Sequence, residues 1–188
     1  MKTNKTPTVL HIADASSTET LILLNQIAAL GWRVHLISHH PQAGNLKIDP
    51  NVTIHRLWVS PVYPLTYAAF LIAAPMIMSI KPDIIHAHYL TTFGIMAAVH
   101  RRFLRFKPMV LTADGRDVLV ETQSGMTRWS AEHALKMFET ITAGKDDIIE
   151  ALQQLKAPGD RIEKIDWSGG NQETAAGHLN TLYIELIK

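Results

Sequence analysis

The chain has 188 residues, 47% of them hydrophobic and 19% charged, with a formal net charge of +1. That length suits one large domain with a substantial core, and the composition excludes a disordered chain. The near-neutral charge gives no electrostatic case for a nucleic-acid partner. Absence of cysteine excludes disulfides, thiolate metal sites and cysteine nucleophiles.

In chain order, Met1 to Pro7 lead straight into a strand pattern with no apolar signal region, so a cytoplasmic location is expected. Thr8 to Ala13 read as the first strand. The polar turn Asp14-Ala15-Ser16-Ser17-Thr18 offers helix N-caps, and Glu19 sits favourably in a first turn. A helix over Leu21 to Leu30 ends at Gly31, a C-cap residue. Arg33 to Ser38 form the second strand and Val52 to Leu57 an alternating third, with a loop from His39 to Asn51 between them. Val62 to Ile80 is uncharged and long enough for a bilayer, but Pro64 and Pro75 interrupt it. It reads as a helix of a soluble fold with no transmembrane segment, apolar nearly all round. Such a helix needs cover on more than one side, from its own chain, a partner subunit or a membrane surface.

Asp83 to Ala87 are the fourth strand, followed by a helix from Thr92 to Arg105. The cluster Arg101, Arg102, Arg105 and Lys107 reads as a solvated helix C-terminus. Met109 to Thr112 are the fifth strand, and a polar loop from Ala113 to Thr127 precedes a helix over Arg128 to Lys136. Phe138 to Ala143, a helix over Lys145 to Leu155, and Arg161 to Ile165 complete the alternation. After Gly169-Gly170-Asn171 comes a last helix, Glu173 to Ile187, with Leu179, Leu182, Tyr183, Leu186 and Ile187 on one face. Trp167 reads as packing at a sheet edge. Alternating strands and helices imply right-handed crossovers. The expected fold is α/β, a doubly wound, mostly parallel Rossmann-like sheet of about seven strands with helices on both faces.

Several motifs at home on such a sheet are missing. No G-x-G-x-x-G follows the first strand, and neither a phosphate-cradling G-x-x-x-x-G-K-[ST] loop nor a G-x-S-x-G elbow occurs. His86 and His88 alternate along a strand and face the same way, but no third ligand is placed by sequence, so no metal site is expected. His39 and His40 read as a solvated pair with diverging rings. Ligands of open parallel sheets bind at the carboxyl ends of strands. The candidates there are His88, Gly115 and Asp117, with Ser16, Ser17 and Thr18 at a helix N-terminus. Asp114 and Asp117 read equally well as ligand acceptors or as turn and cap residues, and Ser16 to Thr18 as simple caps.

KPDIIHAHY, TADGRD, ITAGKDDIIEALQQL and APGDRIEKIDWSGG, in this order and at these separations, resemble the amino-terminal half of GT-B retaining glycosyltransferases. The likeness is to the large family that includes sucrose synthases and bacterial mannosyl- and glucosyltransferases, and it covers Thr8 to Trp167. It implies a first Rossmann domain holding the acceptor, a second binding the nucleotide-sugar, and no protein-bound metal or other cofactor. The chain departs from the family pattern at Asp114, where His or Trp is usual, at Gly144-Lys145, and at Ser168-Gly169. HLNTLYIELIK resembles the family's last helix, which crosses back onto the first domain.

The resemblance therefore implies residues 1–167 as an acceptor-side domain, 168–172 as a Gly-containing joint and 173–188 as a helix packing back on it. The expected function is an isolated or engineered N-terminal half with no catalytic residues and no independent transferase activity. Its partners would be a sugar or other polar acceptor, bound through Ser16, Ser17, Thr18, His88, Gly115 and Asp117, and the missing donor domain. Two alternatives stand beside it: a transferase active with a donor domain supplied in trans, and a scaffold that self-associates through its apolar helices.

Overall fold

The computed structural model describes residues 5–58, 66–105, 108–166 and 171–188, with backbone only for 66–68 and 70. The start of the apolar segment at Val62, the edge residue Trp167 and the joint at Gly169-Gly170 lie outside the described residues. Seven parallel strands form one sheet: β1 (Thr8–Ile12), β2 (Arg33–Ser38), β3 (Val52–Arg56), β4 (Ile84–His88), β5 (Met109–Ala113), β6 (Thr140–Ala143) and β7 (Ile162–Lys164). Their order is β3-β2-β1-β4-β5-β6-β7. The order reverses between β1 and β4, which sit side by side with His11 opposite His86.

Helices α1 (Thr18–Ala29) and α7 (Gln172–Leu186) cover one face of the sheet. The other carries α2 (Thr66–Ile80), α3 (Ile95–Leu104), α4 (Gly115–Leu119), α5 (Gly125–Leu135) and α6 (Asp146–Gln154). Alternate strand residues divide between two apolar clusters, as a pleated sheet buried on both sides requires. Val9, Val34, Ile84 and Val110 meet α1 and α7, while Leu10, Ile85, Leu111 and Ile141 meet the larger helical layer. The expected doubly wound sheet of seven strands is the one observed.

Local signals act as read in most places. Ser17 caps α1, its hydroxyl accepting from the Thr20 amide at 3.2 Å. Gly31 takes a φ of +97°, the left-handed conformation that ends the helix. Three readings need correction. The stretch expected as a polar loop, Ala113 to Thr127, is largely helical: Asp114 caps α4 by accepting from Gly115 N, and Ser124 caps α5. Short capped turns of this kind carry too little apolar periodicity to be seen in sequence. The helix after β4 begins earlier, with a π turn over Tyr89–Gly94. The rings of His39 and His40 lie 3.8 Å apart rather than diverging, with His39 tilted against Phe93.

The apolar helix α2 buries a single stripe, Ala69, Ala73 and Ile77, while Leu71, Ile72 and Met78 are exposed. Spacing of four residues sets the stripe. Met76 and Ile80 flank the stripe, partly buried against the core. Among those residues, no helix is long and apolar enough to cross a membrane.

Candidate ligand site at the switch point

Strand order reverses between β1 and β4, so the connections leaving these strands part in opposite directions and open a crevice at the carboxyl ends. A cavity of about 570 Å³ occupies that place, a size suited to a small polar ligand. Ser17, Glu19 and Thr20 reach it from the start of α1, and His88 and Tyr89 from the end of β4. Thr112 and Asp114 close the β5 side, Lys145 the start of α6, and Asp166 and Gln172 the approach to α7.

Charge in the cavity is uneven. Among the described residues, Glu19, Asp114 and Asp166 supply three carboxylates against the single ammonium of Lys145. A pyrophosphate would meet like charge here, which opposes binding. Neutral hydroxyl-bearing ligands would find acceptors on the carboxylates and donors on Lys145, Ser17 and Thr20. Tyr89 is held at a φ of +65°, a strained value for an aromatic residue. Burial, then Asp114 and the other nearby carboxylates, push its phenol up to about 12, so it stays a neutral donor.

Beneath the cavity lies a buried polar band on the α1/α7 face. His11 Nδ1 and His88 Nε2 are 3.0 Å apart. His86 pairs through Nδ1 with the Tyr183 hydroxyl, and through Nε2 with Thr112 Oγ1 at 2.7 Å. Thr112 continues to Thr142 Oγ1 at 2.8 Å, and Thr142 donates to the Leu111 carbonyl at 3.4 Å. Burial, reinforced by His88, holds His11 well below the ordinary histidine range, and His86 is lowered likewise by burial, then by His88 and His11. Burial takes His88 to about 4. All three rings are neutral at pH 7.

Of the residues singled out from sequence, Ser17 and His88 line the cavity. Ser16, Thr18, Gly115 and Asp117 do not line it. Ser16 is tied to Asp14 Oδ1 by its amide and its hydroxyl, both at 2.7 Å. Asp117 turns into the protein: it is buried, one oxygen accepts from the Leu90 amide, and the other has no partner among the described residues. It thereby ties α4 to the π turn that carries Tyr89. Burial is the first cause raising its carboxyl to about 7, with Asp114 adding to it. Tyr89, at the strand end that the sequence marks as part of a cleft, lines the wall. Sequence reasoning missed Thr112, Asp166 and Gln172 as wall residues, and His11 as a neighbour of His86 and His88; the strand-end rule was the available signal for Thr112 and Asp166.

A doubly wound parallel sheet with its ligand crevice at the reversal is a Rossmann-like domain of the kind found as the N-terminal half of the GT-B fold. Residues 8–149 match the family described as glycosyl transferase 4-like, and the chain belongs to that family. No match is found among curated proteins.

Among solved structures, a sucrose-phosphate synthase from Thermosynechococcus elongatus, labelled 27_220_406_426, superposes with a TM-score of 0.74 at 16% identity. That match covers 96% of this chain and 99% of that one. UDP-GlcNAc 2-epimerase from Methanocaldococcus jannaschii gives 0.56 at 12% identity, over 95% of this chain and 49% of the epimerase. Anabaena Alr3699/HepE in complex with UDP-glucose gives 0.60 at 11%, over 86% and 44%. At these identities the likeness is one of fold. The chain spans about half the length of the epimerase and of HepE.

Proposed function

We propose that this chain is the acceptor-side half of a GT-B glycosyltransferase, holding a sugar or similarly polar acceptor in the cavity at the β1/β4 reversal. Transfer then requires a donor-binding half, and residues 1–188 by themselves do not turn over a nucleotide-sugar. The observation that carries this reading is the cavity wall. Three carboxylates and one ammonium suit a polyhydroxylated neutral ligand and repel a pyrophosphate. The missing glycine-rich turn after β1 supports it further, since close approach of a pyrophosphate depends on those glycines.

The path of α7 also supports it. β7 ends at Lys164 and α7 begins at Gln172, and α7 packs back beside α1 on the same face of the sheet. The acceptor contacts in this reading are Ser17 and His88 directly, with Ser16, Thr18, Gly115 and Asp117 shaping the two turns that bear the wall.

Saturation-transfer NMR with mono- and oligosaccharides is expected to give binding that Lys145→Ala weakens by several-fold. UDP-glucose and GDP-mannose are expected to show no saturable binding and no hydrolysis. Measurable donor turnover by this chain alone would overturn the reading. Restored transfer on mixing with a donor-binding domain would establish the version active in trans.

Leu71, Ile72 and Met78 on α2 favour a second reading, self-association through that face. Light scattering at high concentration is expected to show dimers dispersed by Leu71→Glu, and a strict monomer dismisses it.

A further inference from the structure

His11 lies opposite His86 across the β1/β4 pair, and His88 follows two residues later on the same face. One ring nitrogen from each of the three falls within 4.8 Å of the others. We propose that His11, His86 and His88 form a binding site for a divalent transition metal, of the zinc or cobalt type, opening on its His88 side into the cavity.

The ligand chemistry fits. Metal-bound imidazole must be neutral, and among the described residues no carboxylate is hydrogen-bonded to these rings. An all-nitrogen set of three suits zinc, cobalt, nickel or copper rather than magnesium or calcium. Zinc–nitrogen bonds of about 2.0–2.1 Å in a tetrahedron place ligand nitrogens roughly 3.3 Å apart. The 3.0 Å between His11 Nδ1 and His88 Nε2 is close to that separation, and the third ligand atom, within 4.8 Å of the others, has to move closer to complete the set.

The outer partners fit as well. Thr142 donates to the Leu111 carbonyl, which makes Thr142 Oγ1 the acceptor for Thr112 and Thr112 Oγ1 the acceptor for His86 Nε2–H. That chain leaves a bare lone pair on His86 Nδ1, now taken by the Tyr183 hydroxyl. A ligating histidine whose other nitrogen donates to a fixed oxygen is the usual support for a metal site. With Nδ1 turned to the ion, His11 carries its proton on Nε2, which is buried and has no hydrogen-bond partner among the described residues. Three histidines leave a fourth position, and the cavity beside His88 gives it access to water or to a ligand hydroxyl. The site stands whether or not the cavity holds a sugar.

The test uses the whole chain, stripped with a chelator and titrated with Zn²⁺ and Co²⁺ by calorimetry and visible absorption. One equivalent is expected to bind, with the intense visible bands of tetrahedral cobalt. His11→Gln is expected to weaken binding by about 100-fold or more while the far-ultraviolet dichroism stays unchanged, since loss of a ligand exceeds loss of an outer partner. His55→Gln, in the half-buried His35–His55 pair at 2.8 Å, is expected to leave binding intact. Absence of stoichiometric binding, equal binding by His11→Gln, or loss confined to His55→Gln would each overturn the site. Should His11→Gln fail to fold, long-range ¹H–¹⁵N spectra of the unaltered protein decide. Zinc-dependent shifts of the rings at 11, 86 and 88 support the proposal, and shifts at other histidines alone refute it.

Discussion

Tyr183→Ala is expected to remove about 4 kcal/mol of folding stability, read as a fall in the urea midpoint at unchanged slope. Tyr183 heads the fully buried side chains by volume. It packs edge-on to Trp32 at 5.3 Å between ring centroids and reaches the sheet to meet His86. Replacing a buried aromatic residue by alanine removes its transfer free energy and opens a cavity in a layer that relaxes only partly. His86 Nδ1 is left unpaired in addition. Against a total of roughly 5–15 kcal/mol for a domain, that loss brings the protein near its unfolding threshold.

Tyr183→Phe keeps the ring and loses only the hydroxyl, so it is expected to cost about 1–2 kcal/mol. A chain ending before residue 171 is expected to be insoluble, since Leu21, Leu24 and Ile27 of α1 and the strand residues beneath them lose their cover. Alanine at 183 costing less than about 1 kcal/mol, or a soluble stable truncation, would show that α7 is an appendage instead of half of that layer.

The metal-free protein is expected to lose stability steeply as pH falls below about 6. His11, His86 and His88 have folded pKa values below the ordinary 6.5, that of His88 at about 4. Their contribution is complete above the unfolded pKa and is lost as pH drops toward the folded values. In the unfolded chain each takes up a proton that the folded chain refuses, at about 1.4 kcal/mol per pH unit per group.

Asp117 acts in the opposite sense. Its folded pKa of about 7 lies above the ordinary 3.8, so its contribution is complete below 3.8 and is lost as pH rises toward 7. The three buried rings against Asp117 leave a net loss of roughly 2–3 kcal/mol per unit of acidification once the unfolded histidines are charged, and the partly buried His35, His39 and His55, also lowered by burial, add to it in the same direction. Asp117→Asn removes the opposing carboxylate while keeping an oxygen for Leu90 N. It is expected to gain up to roughly 4 kcal/mol at pH 8 and to show a steeper acid loss than the parent. Urea titrations at pH 8, 7, 6 and 5 provide the measurement. A flat profile from pH 7 to pH 5 would mean that the three rings are hydrated and charged in the folded protein.

Much of this architecture is readable before any coordinates. Strand runs such as TVLHI and IIHAH, the Ser17 cap and the Gly31 stop are local events. Each depends on side-chain alternation or backbone preference within a few residues. The placing of ligands at strand ends followed from parallel alternation alone and named Ser17 and His88, which line the cavity. It also put Gly115 and Asp117 on the cavity wall, where they do not lie. An Asp-Gly-Arg-Asp run serves equally for binding and for capping. Only the position of Leu90, 27 residues earlier, decides that Asp117 faces inward.

Local sequence thus determined the order of elements, their parallel alternation and the absence of a dinucleotide-type phosphate loop, because those properties are written in short-range periodicity and turn chemistry. Tertiary structure alone decided that His11 joins His86 and His88, that Tyr183 closes the band over them, and that α2 leaves Leu71, Ile72 and Met78 exposed. Pairing between strands some 75 residues apart is set by how two apolar layers fill space on either side of the sheet. No short stretch of residues contains that information.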